Sequence, residues 1–381
     1  MKILYLLHNK SIDGSFISWA NLVSALSAQG HEVVVVCPKE LADMDKYSEL
    51  EREYFFKTYS MPIYYSFVGQ DSFKNKFRWY YKFVKSIVPK TRFLLRLLKV
   101  IRQEKPDIIH TNVGIIHEGF WSARIMNIPH IWHLREYQDM DWGYWIYPTK
   151  RIFSKLLRKT NIITISNSVK TYFNLATYNF AYTIYNGICH RNEISFISKK
   201  DNYFLSASSL CENKGIKEII LAFTKFCSSH PEYKLYIVGD DQNAYAKELK
   251  HLVNDKGMSQ HIIFSGYKQK DEVYKYMQSA KALVVASYNE AFGRMTAEAA
   301  FNGTLPIARN TAGTKEILDT IGGIPFEGDY HDLARKMEFV HSMSVEEYNR
   351  IVLNAQQIAQ EKYSIESNVD EIQVLYNNLI K

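Results

Sequence analysis

The stretch Ala282-Leu283-Val284-Val285-Ala286-Ser287-Tyr288-Asn289-Glu290-Ala291-Phe292-Gly293-Arg294-Met295-Thr296-Ala297-Glu298-Ala299-Ala300 runs from an apolar strand-like segment through a loop into a helix-forming run. Glu290 falls in the loop and Glu298 inside the helix. Gly293 at the turn lets backbone approach a ligand closely, and the amides of Arg294, Met295 and Thr296 at the helix start make a ready anion site, one that suits a diphosphate. Two carboxylates separated by seven residues and flanking that site accept hydrogen bonds from hydroxyls on either side of it, because an ionised carboxylate is acceptor-only. The plainer alternative makes Glu298 a polar residue of a surface helix and Glu290 an ordinary loop acid.

Outward from this stretch, strand-like and helix-like runs alternate along the whole chain, the signature of α/β units on parallel sheets. The first series of strands is Ile3–Leu7, Val33–Cys37, Ile108–His110, Ile131–Leu134, Ile162–Ile165 and Thr183–Tyr185. After the polar break Lys199-Lys200-Asp201-Asn202 a second series begins, with Tyr203–Ala207, Lys234–Val238, Ile262–Phe264, Ala282–Ala286 and Leu305–Ala308. The expected organisation is an N-terminal Rossmann-like domain over residues 1–200, a second over 201–363, and a final helix over 364–381 carrying Val369, Ile372, Leu375 and Leu379 and packing back toward the first domain. Two such sheets are expected to face a cleft at their carboxyl ends, where open parallel sheets bind ligands. A length of 381 residues supports two cores, since single cores stop growing near about 250–300 residues.

Composition narrows the class. Apolar residues make up 46% and charged residues 23%, ordinary for a soluble globular chain, and no run approaches the roughly 18 apolar residues of a membrane span. The segment Met1–His8 reads as a buried first strand and not as a signal peptide. Cys37, Cys189, Cys211 and Cys227 lack C-x-x-C spacing, so neither a zinc site nor a disulfide framework is indicated, and the cytoplasm is the expected compartment. Residues 1–200 carry 28 Lys and Arg against 16 Asp and Glu, while residues 201–381 carry 19 against 24. Eleven of the basic residues lie between Lys74 and Lys105, with Glu104 as the only acid there.

With these residues in view, the chain resembles the retaining GT-B glycosyltransferases often called family 4. Glu290 and Glu298 match the family's Glu-x7-Glu motif, with Phe292 and Gly293 in place, and the likeness continues through Gly303, Pro306, Ala312-Gly313 and Glu316-Ile317. The segment Ser206–Gly215 is similar to the family's G-R-L-x-x-x-K-G segment, whose Arg and Lys hold the donor diphosphate. Lys214 and Gly215 are present, Ser209 stands where the family has Arg, and Arg294 is the candidate replacement. The resemblance implies a nucleotide-sugar donor on the C-terminal half, with Glu298 on the ribose, and with Glu290 and Ala291 through Thr296 around diphosphate and sugar. Tyr267 stands near the base. Gly14 and Ser15, in the loop after the first strand, match the family's glycine-rich loop, although the second glycine is here Ser15. His133 matches the histidine placed beneath the donor sugar, so the implied catalytic set is His133, Glu290 and Lys214. Arg135 and Glu136, which follow it, are the acceptor candidates, with a salt-bridged loop as the alternative. Asn186-Gly187 reads as a structural turn.

No metal or other cofactor is implied, because lysine, arginine and helix amides do the work of a cation. Asp139-Met140-Asp141 has the D-x-D form of metal-dependent enzymes of another fold but lies in a Trp/Tyr-rich stretch, and Asp240-Asp241 reads as a turn. From Arg92 to Glu104 the apolar Phe93, Leu94, Leu97, Leu98 and Ile101 repeat at helical spacing opposite Arg92, Arg96, Lys99 and Gln103. This is either a surface helix packed on its domain or, together with Lys74–Lys90 and its aromatics, a face for anionic lipid; no nucleic-acid module accompanies the charge. The implied reaction moves a sugar from a UDP- or GDP-sugar to a hydroxyl of a glycan or lipid-linked acceptor with retention, in cell-surface or exopolysaccharide synthesis. The rivals are a nucleotide-sugar epimerase on the same fold and a non-catalytic basic membrane- or sugar-binding protein.

Overall fold

In the computed structural model, residues 1–65 and 73–380 are described; the side chains of residues 73–77, including Lys74, Lys76, Phe73 and Phe77 of the basic segment, and of Trp142 lie outside the description. The chain forms two compact units, one comprising Met1–Gly187 with Ile365–Lys381 and the other Ile188–Ser364.

The first unit is built on seven parallel strands, β1 (Lys2–Leu6), β2 (Glu32–Cys37), β3 (Lys57–Ser60), β4 (Ile108–Thr111), β5 (His130–Leu134), β6 (Asn161–Thr164) and β7 (Ala181–Thr183), in the order β3-β2-β1-β4-β5-β6-β7. Both faces are covered, which is why β1 and β2 read as unbroken apolar runs without polar alternation. Ile3, Tyr5, Leu7, Val33 and Val35 pack with Trp19 of the helix Gly14–Ala28 and with Val369, Ile372, Leu375 and Tyr376 of the closing helix Ile365–Ile380. Leu4, Leu6, Val34 and Val36 pack on the other face with Phe93, Leu97 and Ile101 of the helix Phe73–Glu104. The second unit has six parallel strands, β8 (Tyr203–Ala207), β9 (Lys234–Val238), β10 (Ile262–Phe264), β11 (Ala282–Val285), β12 (Pro306–Arg309) and β13 (Ile324–Phe326), in the order β10-β9-β8-β11-β12-β13. In each sheet the strand order reverses once, between β1 and β4 and between β8 and β11, and ligand crevices of open α/β sheets form at such reversals.

Three boundaries differ from the sequence expectation. Residues 188–200 belong to the second unit: Ser195 N–H donates to Phe301 O at 3.0 Å, Gln356 Nε2 donates to Ser195 O at 2.9 Å, and Cys189 bridges to Ser364. The polar run at Lys199-Lys200 is thus anchored and not a linker, with Lys200 Nζ bonded to Gln278 O at 2.5 Å. The edge strands β3 and β13 carry too little apolar pattern to be read, and β7 lies two residues ahead of its expected place. Among the described residues no helix is long and apolar enough to cross a membrane.

Candidate active site

The loop after β11 is held from below by Arg309 at the end of β12. Its buried guanidinium donates from Nε to Ala286 O at 3.0 Å and from Nη1 to Gly328 O at 2.9 Å, pairs through Nη2 with Glu218, and lies 4.7 Å from the Tyr288 ring centroid. Gly215 takes a left-handed φ of +64°, and a Cβ there would stand 2.4 Å from Ala286 O, so the loop after β8 and the end of β11 touch backbone to backbone. Gly293 takes φ +90° as the N-cap of the helix Arg294–Phe301. Gly313 donates its N–H to Glu290 O at 2.9 Å and leaves no room for a Cβ against Ala291. Each glycine of the motif therefore has a packing reason.

These contacts bring Ser209, Lys214, Glu290, Arg294 and Met295 around one depression of about 180 Å³ at the carboxyl ends of β8 and β11. Both cations are paired with the two motif carboxylates: Lys214 Nζ lies 2.6 Å from Glu290 Oε1, and Arg294 Nε lies 2.8 Å from Glu298 Oε1. Arg294 shares the depression with Ser209, as a replacement for the family's arginine requires. Glu298 is only 6% exposed. Thr296 differs from the expectation for an open amide, since its N–H donates to Gly293 O at 3.0 Å. Phe292 is core, its ring 6.0 Å from that of Tyr363, so the motif's aromatic supports the loop. Tyr267 is 71% exposed just beyond β10, the edge strand two places from β8.

In the first unit Asp13 caps the helix Gly14–Ala28, accepting from Ser15 N–H at 2.9 Å and from Phe16 N–H at 3.0 Å. Of the Gly14-Ser15 pair expected near a phosphate, the Ser15 amide thus already holds a carboxylate. Asn9 Nδ2 braces the turn, donating to Asp13 and to Ser15 Oγ at 2.7 Å. Arg135, an acceptor candidate, is buried, and its guanidinium is tied to Asn112 Oδ1 at 2.9 Å and Asn186 Oδ1 at 2.7 Å. It points inward because two asparagine carbonyls are available to it there. Glu136 instead lines a cavity of about 320 Å³ with Asn9, Tyr65, Tyr144 and Trp145.

His133 is fully buried, with Nδ1 3.1 Å from His110 Nε2 and 3.5 Å from Arg135 Nη2. Burial, then the charge of Arg135, then His110 hold its pKa well below the usual histidine value, so the ring is neutral. His110, in β4, is its direct partner, and Tyr376 bonds His110 in turn. Nothing local in the sequence marks that chain, because its members lie up to 371 residues apart. The D-x-D carboxylates serve the backbone and a phenol: Asp141 Oδ2 accepts from Tyr137 N–H at 2.6 Å, and Asp139 accepts from Tyr172 OH. Asp241 pairs with Lys250 at 2.6 Å.

Two parallel Rossmann-like sheets, with a Glu-x7-Glu loop and a lysine at the switch point of the second, define the GT-B class of glycosyltransferase. The comparisons agree: the description "Glycosyltransferase Family 4" matches residues 12–191 and "Glycosyl transferases group 1" matches residues 191–358. The chain belongs to the family 4 type of GT-B glycosyltransferases. It is 23% identical over 353 residues to an alpha-monoglucosyldiacylglycerol synthase of Streptococcus pneumoniae, covering 85% of this chain and 74% of that one. A synthase of the same name from Acholeplasma laidlawii is 25% identical over 333 residues, covering 78% and 76%. The Anabaena protein HepE, solved in complex with UDP, shares the fold at a TM-score of 0.80 with 18% identity over 100% of both chains.

Proposed function

We propose that this glycosyltransferase takes a UDP- or GDP-sugar and transfers the sugar, with retention and without a metal, to a hydroxyl of a glycan or lipid-linked acceptor in cell-surface or exopolysaccharide synthesis. The observation that carries the reading is the double charge pair, Lys214 with Glu290 and Arg294 with Glu298, around one depression at the helix start Gly293–Met295. In the free protein each cation is neutralised by a motif carboxylate. An entering diphosphate competes for both cations, and the released carboxylates become acceptors for donor hydroxyls, Glu298 for ribose and Glu290 for the sugar. Lys214, Arg294 and the first helix amides then stabilise the charge that grows on the departing diphosphate. The acceptor oxygen bonds to the anomeric carbon on the face from which the diphosphate oxygen leaves, and that oxygen takes the acceptor's proton.

The UDP complex of HepE and the lipid product named for the synthase relatives support a uridine donor and an amphiphilic acceptor. On the acceptor side, the cavity walled by Tyr65, Tyr144 and Trp145 suits a sugar face, with the Glu136 carboxylate to orient it and the Asp13 carboxylate in the same wall. The helix Phe73–Glu104 exposes Tyr80, Tyr81, Val84, Ile87 and Val88 together with Lys85, Arg92, Arg96 and Lys99, while Phe93, Leu97, Leu98 and Ile101 are packed inward. Its first half therefore offers apolar and basic groups to an anionic membrane on the cytoplasmic side, and its second half a basic face with Leu95 as its exposed apolar residue.

Calorimetry with UDP and GDP, without added metal, tests the donor site. One nucleotide binds the wild type, and Glu298→Ala weakens that binding by roughly tenfold or more, the worth of a charged hydrogen bond. Unchanged affinity in Glu298→Ala would remove the ribose role, and no binding of either nucleotide would remove the donor site. Co-sedimentation with anionic against zwitterionic vesicles tests the membrane face; equal recovery would sink it.

A further inference from the structure

Below His133 lies a chain of buried polar groups reaching the far end of the sequence. Tyr5 OH is 2.7 Å from Tyr376 OH, Tyr376 OH is 2.6 Å from His110 Nδ1, and His110 Nε2 is 3.1 Å from His133 Nδ1. All four side chains are fully buried, and both histidines are neutral because burial first, and Arg135 next, disfavour their charged forms. A neutral imidazole has one donor and one acceptor nitrogen, so the protons in the chain can run in only two directions.

Arg135 chooses between them. Its Nη2 faces His133 Nδ1 at 3.5 Å, and a guanidinium can only donate, so Nδ1 presents a lone pair. His110 must then donate from Nε2, accept at Nδ1 from Tyr376 OH, and leave Tyr376 to accept from Tyr5 OH. Every proton in the chain has an acceptor except that on His133 Nε2, a buried atom with no partner among the described residues. The opposite direction would strand the Tyr5 hydroxyl proton as well and would set an N–H against the guanidinium, at the cost of two unmet polar groups.

We propose that Tyr376 of the closing helix and His110 at β4 are positioning residues that hold His133 as the Nε2–H tautomer, so that His133 serves the substrate as a hydrogen-bond donor and not as a proton acceptor. The substrate half of this inference rests on His133 lying at the sugar site; the tautomer half does not. The recipient of the bond is an oxygen, either a sugar hydroxyl or a phosphate oxygen. A neutral donor held in place costs no reorganisation when charge shifts during transfer.

The test is long-range proton–nitrogen NMR on the full chain labelled at its 12 histidines, with His133 assigned by His133→Gln. In the free protein His133 and His110 both read as Nε2–H; an Nδ1–H pattern at His133 overturns the proposal whatever the enzyme's activity. Tyr376→Phe, which keeps the ring, takes the donor from His110 Nδ1 and leaves the 3.5 Å Arg135 contact as the one remaining bias, so a fraction of Nδ1–H tautomer appears at both histidines. With donor present it lowers kcat about tenfold, the size of one buried hydrogen bond, and leaves the donor KM within about twofold. Unmixed tautomers in that variant overturn the relay. His133→Gln keeps an N–H at similar reach and retains turnover that His133→Ala loses; equal turnover of the two overturns the donor role while leaving the relay intact.

Discussion

At the carboxyl ends of β8 and β11 the polar groups are charged and partly wet, with the Lys214 and Glu290 side chains 26% and 23% exposed. At the ends of β4 and β5 the two histidines are neutral and dry, His110 and His133 being fully buried beside the Arg135 guanidinium. The first arrangement holds its groups by ion pairing that a ligand can exchange; the second holds them by a network that nothing else can replace. Exchangeable charges suit a diphosphate that must enter and leave, and a fixed neutral donor suits a group whose geometry must not change between turnovers.

The comparison breaks most visibly if Lys214 is removed. Lys214→Ala takes away the cation nearest Glu290, and steady-state kinetics should show kcat lower by about 100-fold or more, the scale of losing one preorganised donor at a developing anion. A loss confined to KM would mean that Lys214 serves binding alone. Next comes the scaffold beneath that loop. Arg309→Ala leaves Glu218 without its guanidinium and frees the Ala286–Tyr288 backbone, so urea unfolding should show a loss of roughly 2–4 kcal/mol, somewhat less than for a fully buried pair because Glu218 is partly exposed.

The dry site is sharpened by acid. His110, His117, His130 and His133 are buried with lowered pKa values, His130 at about 3, in each case chiefly through burial. In the folded chain they stay neutral while the unfolded chain takes up protons below pH about 6.5. Unfolding free energy is therefore full above that pH and falls beneath it, by as much as about 1.4 kcal/mol per pH unit for each histidine. Urea titrations at pH 7.5 and 5.5, followed by a probe in the first unit, should show this drop; a flat profile would mean that these rings open to water. The smallest effect is a gain. Ala312 holds a left-handed φ of +49° at the start of the helix Ala312–Ile321. Ala312→Gly should stabilise the fold by about 0.5–1 kcal/mol, the relieved strain net of glycine's entropy, read as a small rise in the thermal midpoint.

Legibility followed the same division. Glu290, Gly293, Glu298, Lys214 and Gly215 stand in short segments whose spacing survives in the primary sequence; the structure sets Lys214 and Glu290 at one depression and ties Glu298 to it through Arg294. The central strands were equally readable, because burial on two faces leaves unbroken apolar runs such as Val33–Cys37. His110, Tyr376 and Arg309 were not, since each acquires its role from partners far away in the chain and is locally an ordinary strand or helix residue. Arg135 shows the converse error: adjacency to His133 suggested a ligand contact, and two asparagine carbonyls, Asn112 and Asn186, had the prior claim.

The closing helix Ile365–Ile380 is translated only after the whole second unit, yet Tyr376, Ile372 and Val369 complete the core that β1 begins. During synthesis the first sheet must wait, one face covered only in part, until some 180 intervening residues of the second unit have left the ribosome. Domains that are continuous in sequence can settle one after another as they emerge. This one cannot, so the proton chain to His133 closes only after the second unit has been made, and a nascent chain interrupted before Tyr376 carries a histidine whose tautomer is not yet set.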